Sequence, residues 1–320
     1  MTIKLGLSIV NFKTAQLVQE CVKSVLADSE KLPNMTIVIV DNDSQDGSFE
    51  RLSTYIEKQS WSHLTEVVAA EKNGGFSYGN NIAFKKLAAS GCTHVWMLNP
   101  DTIVRTGAAR ALYEALESSQ EIVAAGSRLE DPDGTVQVSA FNTPSPWGEF
   151  VNKSEFGLLQ RLFPNHLIAR PPPQSASYVD WVAGASIMIK MEALQKAGFM
   201  DESYFLYFEE VDLCLALAKS GGKITYVPES RVVHHVGAAT GISNIRLKPS
   251  RLPAYWFESR QRFFQKNYGF IKTLCADILW LLAYFFCRIK AFLLRKALWN
   301  PPKLLSDFLK HSSLSRGRIL

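Results

Sequence analysis

Apolar positions along the first hundred residues switch repeatedly between strand and helix spacing. Residues 3–12 (IKLGLSIVNF) read as a buried strand, and 14–27 set Leu17, Val18, Cys21, Val22, Val25 and Leu26 at helical intervals. MTIVIV at 35–40 is β-branched and without alternation, as a central parallel strand is. The pattern then predicts a helix over 49–58, a strand over 64–70, a helix running through Ala89 and a strand over 93–100. Strand, helix, strand and then the polar turn DNDSQDGS is the layout in which open α/β sheets bind ligands, at the C-terminal ends of their strands.

Further on, a helix starts near Thr106 and runs to about Ser119, EIVAAG forms a short strand, and DPDGTVQVS reads as a turn running into an edge strand. Residues 140–177 are rich in Pro and aromatics with irregular spacing, which reads as a long loop for substrate recognition or an interface. YVDWVAGASIMIK at 178–190 is a strand containing Trp181, with a small-residue break at Ala183, Gly184 and Ala185 where backbone can pass close to a sugar. A helix follows from about Phe208 to the stop at Gly221-Gly222, then the strand KITYV and the apolar pair ahead of His234 and His235.

Several polar groups sit where this pattern changes. Asp41, Asn42 and Ser44 leave the second strand with side chains able to read a pyrimidine ring, or simply to form an Asx-turn and helix cap. EKNGGFSYGNN offers Asn73, Gly74, Gly75 and Asn80 at a helix N-terminus, where negative charge is favoured, although it is neither GxGxxG nor a P-loop. Asp101, after Asn99-Pro100, is a hard oxygen ligand for Mg²⁺ or Mn²⁺ whose other ligands would be diphosphate and water, or else a turn former. His234 and His235 are metal ligands or phosphate donors in one reading and packed side chains in the other. Glu209, Glu210 and Asp212 stand among Tyr204, Phe205, Tyr207 and Phe208. Helical spacing puts Glu209 and Asp212 on one face and Glu210 on another; a carboxylate held between a helix dipole and apolar neighbours suits a general base.

Composition places the chain among globular proteins: 320 residues, 47% hydrophobic and 20% charged. Five scattered cysteines without a CxxC argue against a disulfide framework or a zinc site and for a reducing cytoplasm. MTIKLGLSIVNF enters a strand without a leader-like segment, so secretion is not expected. The net charge of +5 is uneven: from Arg246 onward fifteen Lys or Arg face three acids, Glu258, Asp277 and Asp307, so the residues before it are net acidic. ILWLLAYFFC at 278–287 is apolar all round but too short to span a bilayer. With Trp280, Tyr284 and Trp299 and the bases Arg288, Lys290, Arg295 and Lys296, it suggests helices lying in an anionic membrane surface. A dimer interface between two copies or a cover over the core is the alternative; a nucleic-acid groove is disfavoured by so greasy a run.

In their order and separations, SIVNFKT, VDNDSQDGS, NGGFSYGNN, LNPD, WVAGASIMIK, GFMDESYFLYFEEVDLCL and HHVGAAT resemble the family 2 inverting glycosyltransferases, in particular bacterial rhamnosyltransferase-like members. The resemblance covers roughly residues 3–240, and PAYWFESRQRFFQKNYG is similar to the segment that follows in that subgroup. It implies a GT-A fold, Rossmann-like with a mostly parallel sheet flanked by helices, over residues 1–245, and a basic, aromatic helical extension over 246–320. It also implies a dTDP- or UDP-sugar donor, rhamnose or another hexose as the group moved, a lipid-linked or glycan acceptor, and peripheral attachment to the inner face of the cytoplasmic membrane. By this resemblance Asp41 matches the acid that reads the base, with Asn11, Asn42, Ser44 and the Asn73–Gly75 loop beside it. Asp101 is the last acid of the metal motif, with Asn99 in place of an earlier one, and His234 in HxxG helps hold metal or diphosphate. Glu210 falls on the catalytic base, usually Asp, with Asp212 second to it; Trp181, Gly184, Ala185 and Glu209 lie on the acceptor and sugar side. Ala216 stands where relatives often carry Arg. A sugar nucleotidyltransferase would need a basic, glycine-rich loop near the first strand, which SIVNFKTAQ lacks; a non-catalytic, lipid-bound member of the fold is the remaining alternative.

Overall fold

A computed structural model describes residues 3–28, 32, 34–235, 237 and 250–319. The chain opens with β1 (Leu5–Asn11), α1 (Ala15–Ala27), β2 (Met35–Asp41), α2 (Ser48–Lys58), β3 (Thr65–Ala69), α3 (Gly75–Ala89) and β4 (His94–Leu98). It continues through β5 (Thr102–Val104), α4 (Ala108–Glu117), β6 (Ile122–Glu130), β7 (Ala140–Phe141), α5 (Pro146–Ser154), α6 (Gly157–Leu162), β8 (Ser177–Val179) and β9 (Trp181–Val182). Then come β10 (Ser186–Lys190), α7 (Met191–Lys196), α8 (Glu209–Lys219), β11 (Lys223–His234), α9 (Ala254–Leu293), α10 (Leu304–His311) and α11 (Ser313–Arg316).

The chain forms two compact units. The first takes in Met1–Phe141, Pro171–Phe205 and Glu209–Ser243. Its main sheet has the order β3-β2-β1-β4-β10-β6-β11-β5, with β8 also paired to β11. β3, β2, β1 and β4 run parallel, as do β6 and β11, while β10 is antiparallel to both β4 and β6. Period-two alternation divides the core between the two faces of the sheet. Leu5, Leu7 and Ile9 of β1 pack with Val18 and Val22 of α1 and Leu112 of α4, while Val38 and Val40 of β2 lie with Phe84 and Leu87 of α3 and Leu213 and Leu217 of α8. Because β1 lies between β2 and β4, the C-terminal ends of these strands open on one edge, at a point where the strand order reverses.

Four elements differ from the sequence expectation. The single strand expected over 178–190 is three, β8 and β10 in the main sheet and β9 paired with β7 in a separate two-stranded one, because the chain turns at Asp180 and at the small residues 183–185. Asp131 to Gly134 does form a turn (Gly134 N–H to Asp131 O, 2.8 Å), but the edge strand after it is a single bridge from Glu130 to Val136. The Ser139 hydroxyl takes over there, accepting the Leu129 N–H at 3.3 Å and donating to the Ser127 carbonyl at 3.2 Å in place of a backbone ladder. KITYV and the apolar pair before His234 are one strand, β11, which crosses Pro228 with a register shift between Val227 and Arg231. The short strand β5 appears between Asp101 and the helix and pairs antiparallel with β11.

The second unit comprises Asn142–Arg170, Leu206–Phe208 and Asn244–Leu320. The irregular stretch contains helix α5, capped by Ser145, whose Oγ accepts the Gly148 N–H at 3.1 Å, with Pro146 in the first turn. α9 is broken at Gly269 (φ 79°), so its two halves are separate helices. Arg260, 3% exposed, joins α5 to both halves: its guanidinium bonds Glu149 Oε2 at 2.7 Å and Asp277 Oδ1 at 2.7 Å, and Asp277 Oδ2 accepts the Ser313 N–H at 2.8 Å. Trp280 stacks on Phe308 of α10 with ring centres 3.7 Å apart. Beyond that packing, the second half of α9 leaves Ile271, Ile278, Leu282, Phe285, Ile289 and Phe292 exposed along one helical face.

Candidate active site

The first group of candidates is built where β1 and β2 end in register, Asn11 opposite Asp41. Asn11 Nδ2 donates to Asp41 Oδ1 at 2.6 Å and to Ser44 Oγ at 3.2 Å, while the Ser44 hydroxyl donates to Asp41 Oδ1 at 2.6 Å and its N–H to Oδ2 at 3.2 Å. Asn42 Nδ2 donates to Asn73 Oδ1 and to the Gly75 carbonyl, both at 3.0 Å, and Asn42 Oδ1 is buried without a partner among the described residues. The Asn73 amide oxygen also accepts the Gly75 N–H at 3.2 Å, so this side chain closes the turn before α3. Gly75 has φ +87°, and a Cβ there would run into the Phe205 carbonyl, which already accepts the Phe76 N–H at 2.9 Å. Gly74 is closely covered by the Tyr78 ring. Asn80 faces inward: its Oδ1 accepts from Ser8 Oγ at 2.7 Å and its Nδ2 donates to the Phe76 carbonyl at 3.0 Å, so it fastens α3 to β1.

The second group lies where β4 passes into β5. The Asn99 N–H bonds the Ala185 carbonyl at 3.0 Å, and Asn99 Oδ1 is buried without a partner among the described residues. Asp101, 3% exposed, accepts the His235 N–H on its carbonyl at 2.9 Å, and its Oδ1 lies 3.5 Å from His234 Nε2. Pairing of β5 with β11, Thr102 opposite His234, holds this contact. His235 thus contributes backbone here and His234 its ring. Among the described residues no three His, Cys, Asp or Glu side chains gather as a metal cluster. One carboxylate and one imidazole do fit a hard divalent cation that takes its remaining oxygens from diphosphate and water.

The third group is the start of α8. Tyr207 (φ 71°) and Phe208 (φ 67°) are left-handed, and the helix begins at Glu209 with Glu209, Glu210 and Asp212 in its first turn. Glu209 and Asp212 are both buried, and Glu209 Oε2 and Glu210 Oε2 have no hydrogen-bond partner among the described residues. Burial raises the pKa of Glu209 well above the ordinary range, and the adjacent Glu210 raises it further. Burial also raises Glu210, opposed by the N–H groups of Glu210 itself and of Gly184. Gly184 is pressed close, since a Cβ on it would stand 3.3 Å from Glu210 Cβ. Ala185, next along, holds Asn99 through its carbonyl, so the backbone at 184–185 links the acid helix to the Asp101 segment. Trp181 stacks on Phe141 at 4.0 Å. One contact near the site had no pattern by which to find it: the lone amide of Gln137 lies against His234.

A doubly wound sheet with acids at the C-terminal ends of β2 and β4 and a buried acid on a facing helix defines the GT-A class. Solved structures share the fold. GalNAc-T7 with UDP, GalNAc and Mn²⁺ superimposes with a TM-score of 0.61 at 17% identity, over 97% of this chain and 54% of that one. The S. aureus TarS 1–349 structure gives 0.54 at 14% identity, over 97% of this chain and 81% of that one. The chain belongs to glycosyl transferase family 2, whose model matches residues 8–172. Among curated relatives, the N-acetylglucosaminyl-diphospho-decaprenol L-rhamnosyltransferase of Mycobacterium tuberculosis is 30% identical over 159 residues, 46% of this chain and 48% of the relative. Rhamnosyltransferase WbbL of Escherichia coli K12 is 24% identical over 165 residues, 50% of this chain and 61% of the relative. The low-salt glycan biosynthesis hexosyltransferase Agl10 of Haloferax volcanii is 23% identical over 273 residues, 84% of this chain and 78% of the relative. The chain thus spans about half the length of the rhamnosyltransferase it matches at 30% identity.

Proposed function

We propose that the protein is an inverting glycosyltransferase that moves rhamnose or another hexose from a dTDP- or UDP-linked donor to a lipid-linked or polysaccharide acceptor. The observation that carries this reading is Glu210, a half-buried acid whose Oε2 is buried with no partner among the described residues, set against Gly184 at the strand-end edge of the sheet. Glu210 accepts the proton of an acceptor hydroxyl. That oxygen bonds to the anomeric carbon from the face opposite the diphosphate, whose C–O bond breaks as the nucleoside diphosphate leaves with the electron pair. One displacement needs one such carboxylate, so Glu209 and Asp212 serve to shape the acceptor side. Asp41, held by Asn11 and Ser44, reads the pyrimidine; Asn42, Asn73, Gly74 and Gly75 approach the nucleotide, and the amide of Asn99 its sugar or diphosphate. Asn80 supports that loop from behind. Asp101 and His234 would hold Mg²⁺ or Mn²⁺, which when bound offsets charge on the departing diphosphate. In support, the solved structures of GalNAc-T7 and of the mannosyltransferase PcManGT, the latter at TM-score 0.52 and 13% identity, carry Mn²⁺ with their nucleotides or nucleotide sugars.

In this reading the first unit carries the chemistry and the second rests on the inner face of the cytoplasmic membrane, where a lipid-linked acceptor is found. α9 is long and apolar enough to cross a membrane by length and composition. Its exposed apolar face and its bases suit an anionic surface better than a span or a second copy of the chain, because no acid on that face could pair with a partner's Lys272 or Arg288. The test is to incubate the full chain with dTDP-rhamnose and with UDP-hexoses in membrane extract and to read released nucleoside diphosphate. Release that requires extract and one donor is expected; no release with any donor overturns the reading.

A further inference from the structure

Gln137 follows the Asp131–Gly134 turn, its N–H fixed on the Leu129 carbonyl at 2.9 Å. Its carboxamide makes three contacts. Nε2 donates to the His234 carbonyl at 2.8 Å and to Asp131 Oδ1 at 2.8 Å, and Oε1 lies 3.3 Å from His234 Nδ1. Both partners of Nε2 are acceptors, so turning the amide over would set its oxygen against two oxygens. The amide therefore has one orientation, and the atom it presents to the ring carries no proton. Nδ1 must be the donor in that contact. A neutral imidazole has a single N–H; with it on Nδ1, the lone pair is on Nε2, the atom that lies 3.5 Å from Asp101 Oδ1. A lone pair facing a carboxylate oxygen at that separation is suited to a cation between them.

We propose that Gln137 is a positioning residue: it sets the ring orientation and tautomer of His234 so that Nε2 is open to a divalent cation shared with Asp101. This rests on the reading of Asp101 and His234 as cation ligands and adds the group that aims one of them. Gln137 Nε2 is held through both of its hydrogens, by Asp131 on one side and the His234 backbone on the other, so ring and amide keep their alignment without the ion. Such an outer partner fixes which ring nitrogen is available to metal.

The test has a metal-free and a metal-bound arm, both on the full chain. ¹⁵N NMR at about pH 8, above the ordinary imidazole range, reads which nitrogen of His234 bears hydrogen, with H234A supplying the assignment. Nδ1–H is expected in the wild type and a shift to Nε2–H in Q137L, which keeps bulk but offers no acceptor; circular dichroism checks that the fold is retained. Mn²⁺ binding, followed by loss of the free ion's EPR signal, is expected to weaken about 10–100-fold in Q137L and to be no weaker in the H234A/Q137L double variant than in H234A. A tautomer unchanged by Q137L, or an Mn²⁺ loss that is the same with and without His234, overturns the role of Gln137. Unchanged Mn²⁺ affinity in H234A overturns the cation reading itself, and the metal-free NMR tells the two failures apart.

Discussion

Asn11 Nδ2 and Asp41 Oδ1 meet at 2.6 Å across two parallel strands whose ends are in register. With Ser44 on the same oxygen, the carboxylate is fixed in direction before any ligand arrives. D41N is expected to weaken UDP or dTDP binding about 10–100-fold, the loss of one hydrogen bond to a charged group. N11A, which frees the carboxylate without discharging it, is expected to cost less. Calorimetric titration of both variants checks the order, and equal affinity in all three proteins would remove Asp41 from the nucleotide site.

With Glu210 as the proposed proton acceptor, its amide should stop transfer and spare binding. E210Q is expected to lower kcat about 10²–10⁴-fold with nucleoside diphosphate affinity unchanged. E210D, which restores the more usual residue of the family, keeps a carboxylate and should retain measurable turnover. Because burial raises the Glu210 pKa above its ordinary 4.5, the acid limb of kcat/KM should fall at higher pH than for a solvent-exposed Glu, with activity present above that limb and lost below it. A limb at or below pH 4.5 would count against Glu210 as the base.

Glu209 makes the complementary prediction about stability. Its folded pKa is raised by burial and then by Glu210, so the native state prefers the protonated form. The sign follows from linkage: below the ordinary value of 4.5 both states are protonated and nothing is lost, and as pH rises toward the folded pKa the unfolded state gains by ionising. Wild-type stability should therefore fall through that window, and E209Q, neutral throughout, should not follow it. Scanning calorimetry should find the E209Q melting temperature advantage near zero at pH 4.5 and growing toward pH 8; an advantage independent of pH would mean that Glu209 does not carry the buried proton.

Much of the sheet and its ligand edge could be read from residue order, because parallel strands buried on both faces leave unbroken apolar runs, and Asn11, Asp41 and Asp101 follow such runs directly. The acids Glu209, Glu210 and Asp212 stand out for a different reason, as carboxyls among rings at a helix start. Features that depend on distant pairing are not legible in this way. β11 reads as two pieces because Pro228 interrupts its pattern, and only the partner strand β6 shows the bulge that carries it through. β5 is too short to have a period. Gln137 gives no signal of its own, since its meaning lies in a contact with a residue 97 positions away. Asn80 looks like a ligand amide in sequence, and only Ser8 opposite it reveals the support role.

In the second unit, Arg260 is the sole cation in contact with two buried acids, Glu149 and Asp277, among the described salt bridges of that helix pair. Burial raises the Glu149 pKa, and Arg260 is what offsets it. Removing the guanidinium leaves both carboxylates buried without it, so R260A should cost about 3–5 kcal/mol in the stability of this unit. R260K keeps the charge but not the fork that reaches both acids, and should fall between. Chemical denaturation followed by the fluorescence of Trp280, which stacks on Phe308 nearby, checks the ranking, and a wild-type midpoint in R260A would show that the network is not a stabilising one.

The exposed face of α9 gives the last prediction. Ile271 is 75% and Phe292 83% exposed, at the two ends of a stripe through Ile278, Leu282, Phe285 and Ile289, while Asp277 is fully buried on the opposite side. The stripe therefore offers apolar area with Lys272 and Arg288 beside it and no acid, which favours anionic lipid over neutral lipid. The doubly substituted F285E/I289E chain puts two charges on the stripe at positions that are 51% and 60% exposed. It should lose most sedimentation with vesicles containing phosphatidylglycerol, and the wild type should bind those vesicles more weakly as salt is raised, since the Debye length shortens from about 10 Å at 0.1 M to about 3 Å at 1 M. Should the wild type instead sediment alone and shift to a dimer by light scattering that F285E/I289E abolishes, the stripe would be a contact between copies of the chain and the lipid reading would fall.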